Sequence, residues 1–162
     1  MATVVSAAGS GAGSTWGEEG YVVIRRLDVG SRQLAAGIVA DLVGPGAQVV
    51  ASRVDVAPSG HGGGRWGPAG AAPGGEAPAV AVWHALTDAT LENGCPWVVP
   101  GSHLGPVGDG GRDGAVPVPL AAGDLLVLDA RLRCRSTPNH STLARVAVVV
   151  DYAGNSPDQS SS

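Results

Sequence analysis

Few side chains in this sequence can hold a transition metal, and Cys134 is the one whose local pattern is most informative. It ends a run that has apolar residues at every second position, namely Leu126, Leu128, Ala130 and Leu132. Because side chains alternate between the two faces of a strand, Cys134 is predicted to point into the interior. There it is either a buried thiol that packs as a small hydrophobic group or a lone soft metal ligand that needs further partners.

Arg145 lies eleven residues after Cys134 and begins a second apolar run. In this run Arg145, Ala147, Val149 and Asp151 share one face of the predicted strand. The alternation leaves two arrangements open. Either Arg145 is a rim residue with a surface salt bridge, or it points inward beside small residues that leave room for a ligand.

The histidines are further candidates for chemistry. His61 and His140 lie in loop segments, where a solvent-exposed histidine is the ordinary case. His84 lies within a strand-like run beside Trp83, where it either packs, lies at the surface or faces a cavity. None of the three has a spacing to the others that by itself indicates a metal site.

Seven short β-rich runs, separated by glycine- and proline-rich segments, must position these residues. The runs cover residues 20–27, 47–56, 79–88, 96–100, 115–120, 124–134 and 144–152. One amphipathic helix is predicted over residues 31–44, from Ser31 to the stop at Gly44 and Pro45. Short strands with glycine and proline turns predict a mainly β sandwich, jelly roll or barrel, with the helix packed on one side of a sheet.

The chain of 162 residues is the length of one ordinary domain. Segments that are too rich in glycine or serine to bury apolar surface are predicted to be loops or tails. We therefore predict a flexible tail over residues 1–16 and a single domain over residues 17–153. This domain carries glycine-rich loops at 59–78 and 105–114, and a second flexible tail follows over residues 154–162.

Composition argues against several classes of protein. The net charge is −4, and the largest basic cluster is Arg131, Arg133 and Arg135, which we expect to form one solvated face of a strand, so nucleic acid is not an expected partner. Two cysteines make neither a disulfide framework nor a paired-cysteine zinc motif. We find no secretory signal and no apolar window long enough to cross a membrane. These features predict a soluble, cytoplasmic protein.

The run VWHALTDATLENGCPWVVPGSH (82–103) resembles the middle of the phytanoyl-CoA dioxygenase family, whose members are iron(II)/2-oxoglutarate-dependent oxygenases. The family pattern has an Ala-Leu-x-Asp segment, a Glu-Asn-Gly turn and a Val-Pro-Gly-Ser-His run, which match residues 85–88, 92–94 and 99–103. The likeness continues through residues 122–152, and GEEGYVVIRRL resembles the opening strand of the family. Family members are usually longer than this chain.

The resemblance implies a double-stranded β-helix, which is a cupin-like jelly roll, here shortened. It also implies iron(II) held by a His-x-Asp pair and a distant His, with open positions for 2-oxoglutarate and oxygen. Gly67 stands at the position of the first His, Ala69 at that of the Asp and Cys134 at that of the distant His. Arg145 stands where an arginine pairs with the distal carboxylate of 2-oxoglutarate, and Ser136 where a hydroxyl assists this cosubstrate.

Two functions follow as hypotheses from this match. The first is an oxygenase that uses iron(II) and 2-oxoglutarate to hydroxylate a small organic substrate. The second is a metal-free pseudoenzyme with the same fold, which binds a small carboxylate or a protein partner, because Gly67 and Ala69 offer no ligand atoms. Cys134 and His61 remain as weak candidate ligands. His61 is a candidate because His61-Gly62-Gly63 resembles, in a shifted register, a metal-binding motif of related iron halogenases.

Overall fold

Two antiparallel β-sheets face each other and enclose the main hydrophobic core. The computed structural model of the chain describes residues 3–5, 15–25, 31–70, 77–105 and 113–155. This mainly β architecture with one longer helix confirms the predicted jelly-roll fold class. It also gives each sheet one face toward the core, which is the arrangement that alternating apolar and polar residues require.

Ten strands, numbered in chain order, lie within the described residues. They are β1 (Thr3–Val5), β2 (Tyr21–Arg25), β3 (Gln48–Ala57), β4 (Gly67–Pro68), β5 (Ala79–Ala85), β6 (Pro96–Val98), β7 (Val116–Pro117), β8 (Leu125–Asp129), β9 (Arg133–Ser136) and β10 (Arg145–Ala153). The larger sheet has the strand order β1-β2-β8-β5-β10-β3, and the smaller sheet has the order β4-β9-β6-β7. Two helices, α1 (Thr15–Glu19) and α2 (Ser31–Val43), and a 3-10 turn (Ser102–Leu104) complete the described elements.

The larger sheet is apolar on both faces over much of its area. Its inner face contributes Tyr21, Val23, Ala81, Trp83, Ala85, Leu126, Leu128, Ala147 and Val149 to the core between the sheets. Its outer face contributes Ile24, Val80, Val82, Leu125 and Val127 to a second core under helix α2. Because the strands alternate strictly, the inner face of β10 also carries the two charged residues Arg145 and Asp151.

The predicted single strand over residues 124–134 is in fact two strands in different sheets, β8 and β9. The chain turns between them, where the carboxylate of Asp129 accepts a hydrogen bond from the backbone N–H of Arg131 at 2.9 Å and two from its guanidinium. The apolar alternation did not reveal this turn because Leu132 and Cys134 face the same core after it as the residues before it. The predicted inward orientation of Cys134 is therefore correct, although the strand is not continuous.

Helix α2 confirms the predicted helix and ends one residue earlier, at Val43. Gly44 follows with a positive φ of 98° and donates its N–H to a carbonyl of the last turn at 2.9 Å, which is a usual glycine cap. Val39 and Val43 are buried against the sheet, whereas Ile38 and Leu42 are only partly buried. The helix therefore packs on the sheet mainly through Val39 and Val43.

Residues 3–5, which lie within the predicted N-terminal tail, pair with β2 as strand β1. Much of the remaining tail and loop predictions concerns residues that lie outside the described ranges. These residues are 1–2, 6–14, 71–76, 106–112 and 156–162. Strand β4 lies within the predicted glycine-rich loop 59–78. In the described part of the chain, no helix has the length and apolar character needed to span a bilayer.

Candidate functional site

The three positions that the family motif assigns to metal ligands meet at one pocket. Gly67 on β4 pairs with Cys134 on β9. Ala69 follows two residues later and donates its N–H to the carbonyl of Leu132 at 2.9 Å. All three positions line a pocket of about 220 Å³, whose wall also includes Trp83. The pairing of β4 with β9 therefore brings together the three positions that the family motif aligns with the metal ligands.

The side chains at these positions do not fit iron(II). Gly67 has no side chain, and Ala69 has only a methyl group. Burial raises the pKa of the Cys134 thiol to about 11, against a smaller lowering by Arg53 and with a further rise from Asp55. A cysteine binds a metal as the thiolate, so the raised pKa of Cys134 adds to the cost of metal binding, and one thiolate without further ligands would hold a metal weakly. Among the described residues no three His, Cys, Asp or Glu side chains are grouped to hold a metal ion.

Arg145 points into the protein rather than lying at its rim, which decides between the two arrangements left open above. Its side chain is 0% exposed, and Nη1 donates to Oδ2 of Asp55 at 3.2 Å. The guanidinium carbon lies 5.3 Å from the ring centroid of Trp83. Asp55 and Trp83 both line the pocket, whereas Arg145 is not among its lining residues, so the guanidinium lies behind these two side chains.

Two donors of Arg145, Nε and Nη2, are buried and have no hydrogen-bond partner in the described part of the chain. A buried charged group with unpaired donors is unfavourable by a few kcal/mol, because it has lost water without gaining a replacement. A carboxylate would accept bonds from both donors, since its two oxygens match the planar guanidinium fork. The arrangement is therefore that of an anion site.

Positive charge predominates around the pocket. The charged residues that line it or contact its lining are Arg53, Arg65, Arg135 and Arg145 on the positive side, and Asp55 and Asp151 on the negative side. Arg53 donates from Nη1 to Oδ2 of Asp151 at 3.2 Å. Nε of Arg135 is buried and unpaired within the described residues. Four cations and two anions leave a net attraction for an acidic ligand.

The predicted solvated face of Arg131, Arg133 and Arg135 is wrong. The turn between β8 and β9 separates Arg131, which is exposed, from the other two, which are half-buried on β9. Arg135 lies with its guanidinium 5.8 Å from the ring centroid of Trp66 and lines the pocket. This residue therefore adds to the charge of the site and not only to the surface.

The remaining candidates from the motif, Ser136 and His61, lie in different surroundings. Ser136 ends β9 and lines the pocket, and its carbonyl accepts the N–H of Gly64 at 2.9 Å. His61 is exposed, and its Nδ1 accepts the N–H of Gly63 at 3.1 Å. His61 is not among the residues that line the pocket, so its position favours a role in ordering the glycine loop.

The other histidines lie away from the pocket. His84 is half-buried on the outer face of the larger sheet, where it lines a separate cavity of about 430 Å³ with Val148. His103 is buried, and its Nε2 lies 3.1 Å from the carbonyl oxygen of Gly17, which agrees with a structural role. His140 is exposed in the loop before β10.

Asn139 is a residue whose importance the sequence did not show. Its side chain is fully buried and donates to the carbonyls of Ala57 at 2.8 Å and Leu143 at 2.9 Å. Its Oδ1 accepts from the backbone N–H and the hydroxyl of Ser141, at 2.9 and 2.7 Å. These bonds fix the loop before Arg145 to the end of β3. The Thr-Pro-Asn sequence was a signal, because asparagine in a turn often bonds to backbone two residues on.

Two glycines allow neighbouring loops to approach the segment that follows Cys134. Gly94, in the Glu-Asn-Gly turn, has φ 94°, and a Cβ at this position would collide with the carbonyl oxygen of Thr137. Gly63 has φ 83°, and a Cβ there would lie 2.9 Å from backbone atoms of Ser136 and Pro138. The glycines of these turns are therefore needed both for their backbone conformation and for the space they leave.

The fold defines a class of protein, namely the double-stranded β-helix, and in this chain positive charge predominates around the pocket between its sheets. A sequence profile of the phytanoyl-CoA dioxygenase family (PhyH) matches residues 62–147, which is more than half of the chain. The chain therefore belongs to the phytanoyl-CoA dioxygenase family. The matched range includes the three altered ligand positions and Arg145.

Individual relatives agree with this assignment. Phytanoyl-CoA dioxygenase domain-containing protein 1 of Mus musculus is 35% identical over 92 residues, which cover 44% of this chain and 32% of the mouse protein. The chain thus spans about a third of the length of that relative. The alpha-ketoglutarate-dependent carbocyclase SnoK from nogalamycin biosynthesis is 20% identical, with a TM-score of 0.70 over 86% of this chain and 81% of SnoK.

EvdO2 from Micromonospora carbonacea var. aurantiaca, complexed with 2-oxoglutarate, has a TM-score of 0.74. It is 18% identical over 96% of this chain and 94% of EvdO2. At these identities, SnoK and EvdO2 show that the fold is shared and do not by themselves transfer a ligand.

Proposed function

We propose that this chain binds 2-oxoglutarate, or a small carboxylate like it, at Arg145, and that it does so without iron(II). The observation that carries the proposal is the guanidinium of Arg145, which is fully buried behind two residues of the pocket wall, Asp55 and Trp83, and keeps two donors unpaired among the described residues. Membership of a family that uses 2-oxoglutarate supports the choice of ligand. The absence of ligand atoms at Gly67 and Ala69 supports binding without the metal.

A carboxylate can bond to Arg145 without breaking its ion pair with Asp55, but the lining side chains must first shift to open the buried guanidinium to the pocket. Asp55 bonds to Nη1, so Nε and Nη2 remain for the carboxylate. Trp83 limits the motion of the guanidinium from one side. A donor pair that is already ordered loses little entropy on binding, which favours affinity. Ser136, on the pocket wall, is available as a further hydrogen-bond donor to the ligand.

The second candidate function is that of the family, an iron(II)- and 2-oxoglutarate-dependent oxygenase acting on a small organic substrate. Family membership favours it, as does the 2-oxoglutarate bound to the structural neighbour EvdO2. In this reaction class a bound iron(II) would supply the activation of oxygen, with 2-oxoglutarate as the reductant. The residues at the three ligand positions do not supply a metal site, and we therefore favour binding without oxygenase activity.

The first test is the melting temperature of the chain with 2-oxoglutarate in the presence of a chelator. A ligand at about 100 times its Kd stabilises the folded state by about 2.7 kcal/mol, which corresponds to a rise of roughly 5–10 °C for a chain of this size. We expect this rise for the wild type and its loss in Arg145→Ala. Arg145→Lys keeps the charge but loses the planar fork, so a smaller rise is expected.

Arg131→Ala is the matched control, because Arg131 is exposed and bonds only to Asp129 among the contacts described for it. It should leave the rise unchanged. No rise in the wild type, or an equal rise in Arg145→Ala, would show that the proposal is wrong. Anaerobic addition of iron(II) with 2-oxoglutarate tests the second candidate: a charge-transfer absorption band and formation of succinate would establish it, and we expect neither.

A further inference from the structure

Strand β3 forms one edge of the larger sheet, and this edge is long and apolar. Within the described residues β3 pairs on one side only, with β10. Edge strands are usually protected from other chains by proline, lysine or an inward-turned charge. β3 contains neither proline nor lysine, and its two inward charges, Arg53 and Asp55, have opposite signs, so a second copy can neutralise them. Val54 is 64% exposed and Val56 is 47% exposed. Such an edge is a template on which another strand can pair.

The regular part of this edge has clear limits. The register of β3 against β10 shifts between Asp151 and Tyr152, which leaves Val50 without an opposite residue. At the other end Pro58 follows β3 and has no N–H to donate. A bulge and a proline both end regular pairing, so residues 51–57 are the segment open to a further strand. Its sequence is ASRVDVA.

We propose that a second copy of this chain pairs with residues 51–57, antiparallel and related by a two-fold axis through Val54. This axis places Arg53 opposite Asp55 of the second copy, and symmetry repeats the pair on the other side. Opposite charges directly across an antiparallel pair stabilise it, whereas like charges destabilise it. Val54 lies opposite its own copy, and the alanines at the two ends of the segment lie opposite each other.

Neighbouring registers are unfavourable for the same reason. A two-fold axis perpendicular to the sheet keeps each side chain on its own face of the sheet. Because opposite residues must share a face and faces alternate along a strand, the axis must lie at a residue that is opposite its own copy. An axis through Arg53 would bring two guanidinium groups together, and an axis through Asp55 would bring two carboxylates together. The charge pattern of β3 therefore selects the axis through Val54 and disfavours the alternatives on either side.

Both charged side chains have surface left for this contact. Arg53 is 53% exposed and Asp55 is 34% exposed, although each already has a partner in its own chain. Arg53 uses one of its donors on Asp151, and a guanidinium has five. Asp55 accepts from Arg145 through Oδ2. The second copy would thus extend two existing ion pairs rather than replace them.

The test is the molar mass of the full chain, measured by light scattering across a dilution series. We expect a dimer of twice the 16.0 kDa of one chain at high concentration. Val54→Lys would place two ammonium groups opposite each other at the axis, and we expect it to leave only monomer. This substitution lies at an exposed position, so the fold should persist, which circular dichroism would verify.

Val49→Lys is the matched control, because Val49 is 58% exposed on the same strand but lies beyond the bulge. It should leave the dimer intact, as should Val54→Thr, which keeps a β-branched residue at the axis. The proposal would be overturned by a wild type that is monomeric at every concentration, by a Val54→Lys dimer, or by equal dissociation of Val49→Lys.

Discussion

Asn139 is predicted to be one of the most important polar residues for the stability of this fold. Asn139→Ala removes four side-chain hydrogen bonds from a position that is 0% exposed. A typical bond contributes about 1 kcal/mol net, and a buried group that loses its only partner costs about 1–3 kcal/mol. The carbonyl of Leu143 keeps a bond from the hydroxyl of Ser141, whereas the carbonyl of Ala57 loses its side-chain donor. We therefore expect a loss of about 2–4 kcal/mol.

Urea denaturation followed by tryptophan fluorescence measures this loss directly, since the chain has four tryptophans. The midpoint should fall while the slope of the transition stays the same, because the surface exposed on unfolding is nearly unchanged. A total stability of about 5–15 kcal/mol is usual for a domain, so the variant should still fold. The melting temperature should fall by roughly 5–15 °C.

Asn93→Ala provides the comparison that tests the role of burial. The side chain of Asn93 accepts the N–H of Thr90 and donates to the carbonyl of Asp88, both at 2.7 Å, but these contacts lie near the surface. Water can replace them, so this variant should lose no more than about 1 kcal/mol. Equal losses for Asn93→Ala and Asn139→Ala would refute the reasoning, because burial would then make no difference.

Two further predictions concern the segment around Cys134. Gly94→Ala should lower the free energy of unfolding by about 1–3 kcal/mol through backbone strain and the collision with Thr137. Gly60→Ala, at φ 81° with open space around it, should lose less in the same urea measurement, and an equal loss would contradict the steric argument. Cys134 has a pKa of about 11, so its alkylation rate should rise with pH to a midpoint near that value. A midpoint below 9, located at Cys134 by mass spectrometry, would contradict the expectation that burial raises the pKa of this thiol.

Strands β2, β3, β5 and β10 could be predicted from the sequence because they form apolar runs with glycine or proline near their ends. The helix could be predicted for a similar reason. Strands β1 and β4 could not be predicted, because they are short and lie in segments rich in glycine. The turn between β8 and β9 could not, because apolar residues keep the same parity on both sides of it, from Leu126 to Cys134. A change of sheet that preserves the alternation leaves no trace in the hydrophobic pattern. In the structure the turn is marked by the Asp129 side chain, bonded to Arg131, and by the N–H of Leu132, which donates to the carbonyl of Asp129 at 2.9 Å.

The family motif allowed one part of the pocket to be predicted, namely that its three metal-ligand positions lie close together. The match placed Gly67, Ala69 and Cys134 together, and the structure finds them on one pocket. The partners of Arg145 were not predictable, because Asp55 lies on β3, far away in sequence. Arg145 and Asp55 are diagonal neighbours on the paired strands β10 and β3. Such a contact depends on the register of the two strands, and this register could not be predicted from the sequence. The same applies to Arg53 and Asp151.

Strand β3 connects the two proposals physically. Its inner face carries Asp55, which holds the guanidinium of Arg145 at the pocket, and Arg53, which holds Asp151. Both charged residues of β3 also lie within the segment proposed to pair with a second copy. A dimer formed at this edge would restrict the motion of β3, and with it the ion pair beside the pocket. Carboxylate binding at Arg145 and pairing at Val54 would then support each other, because each orders the same strand.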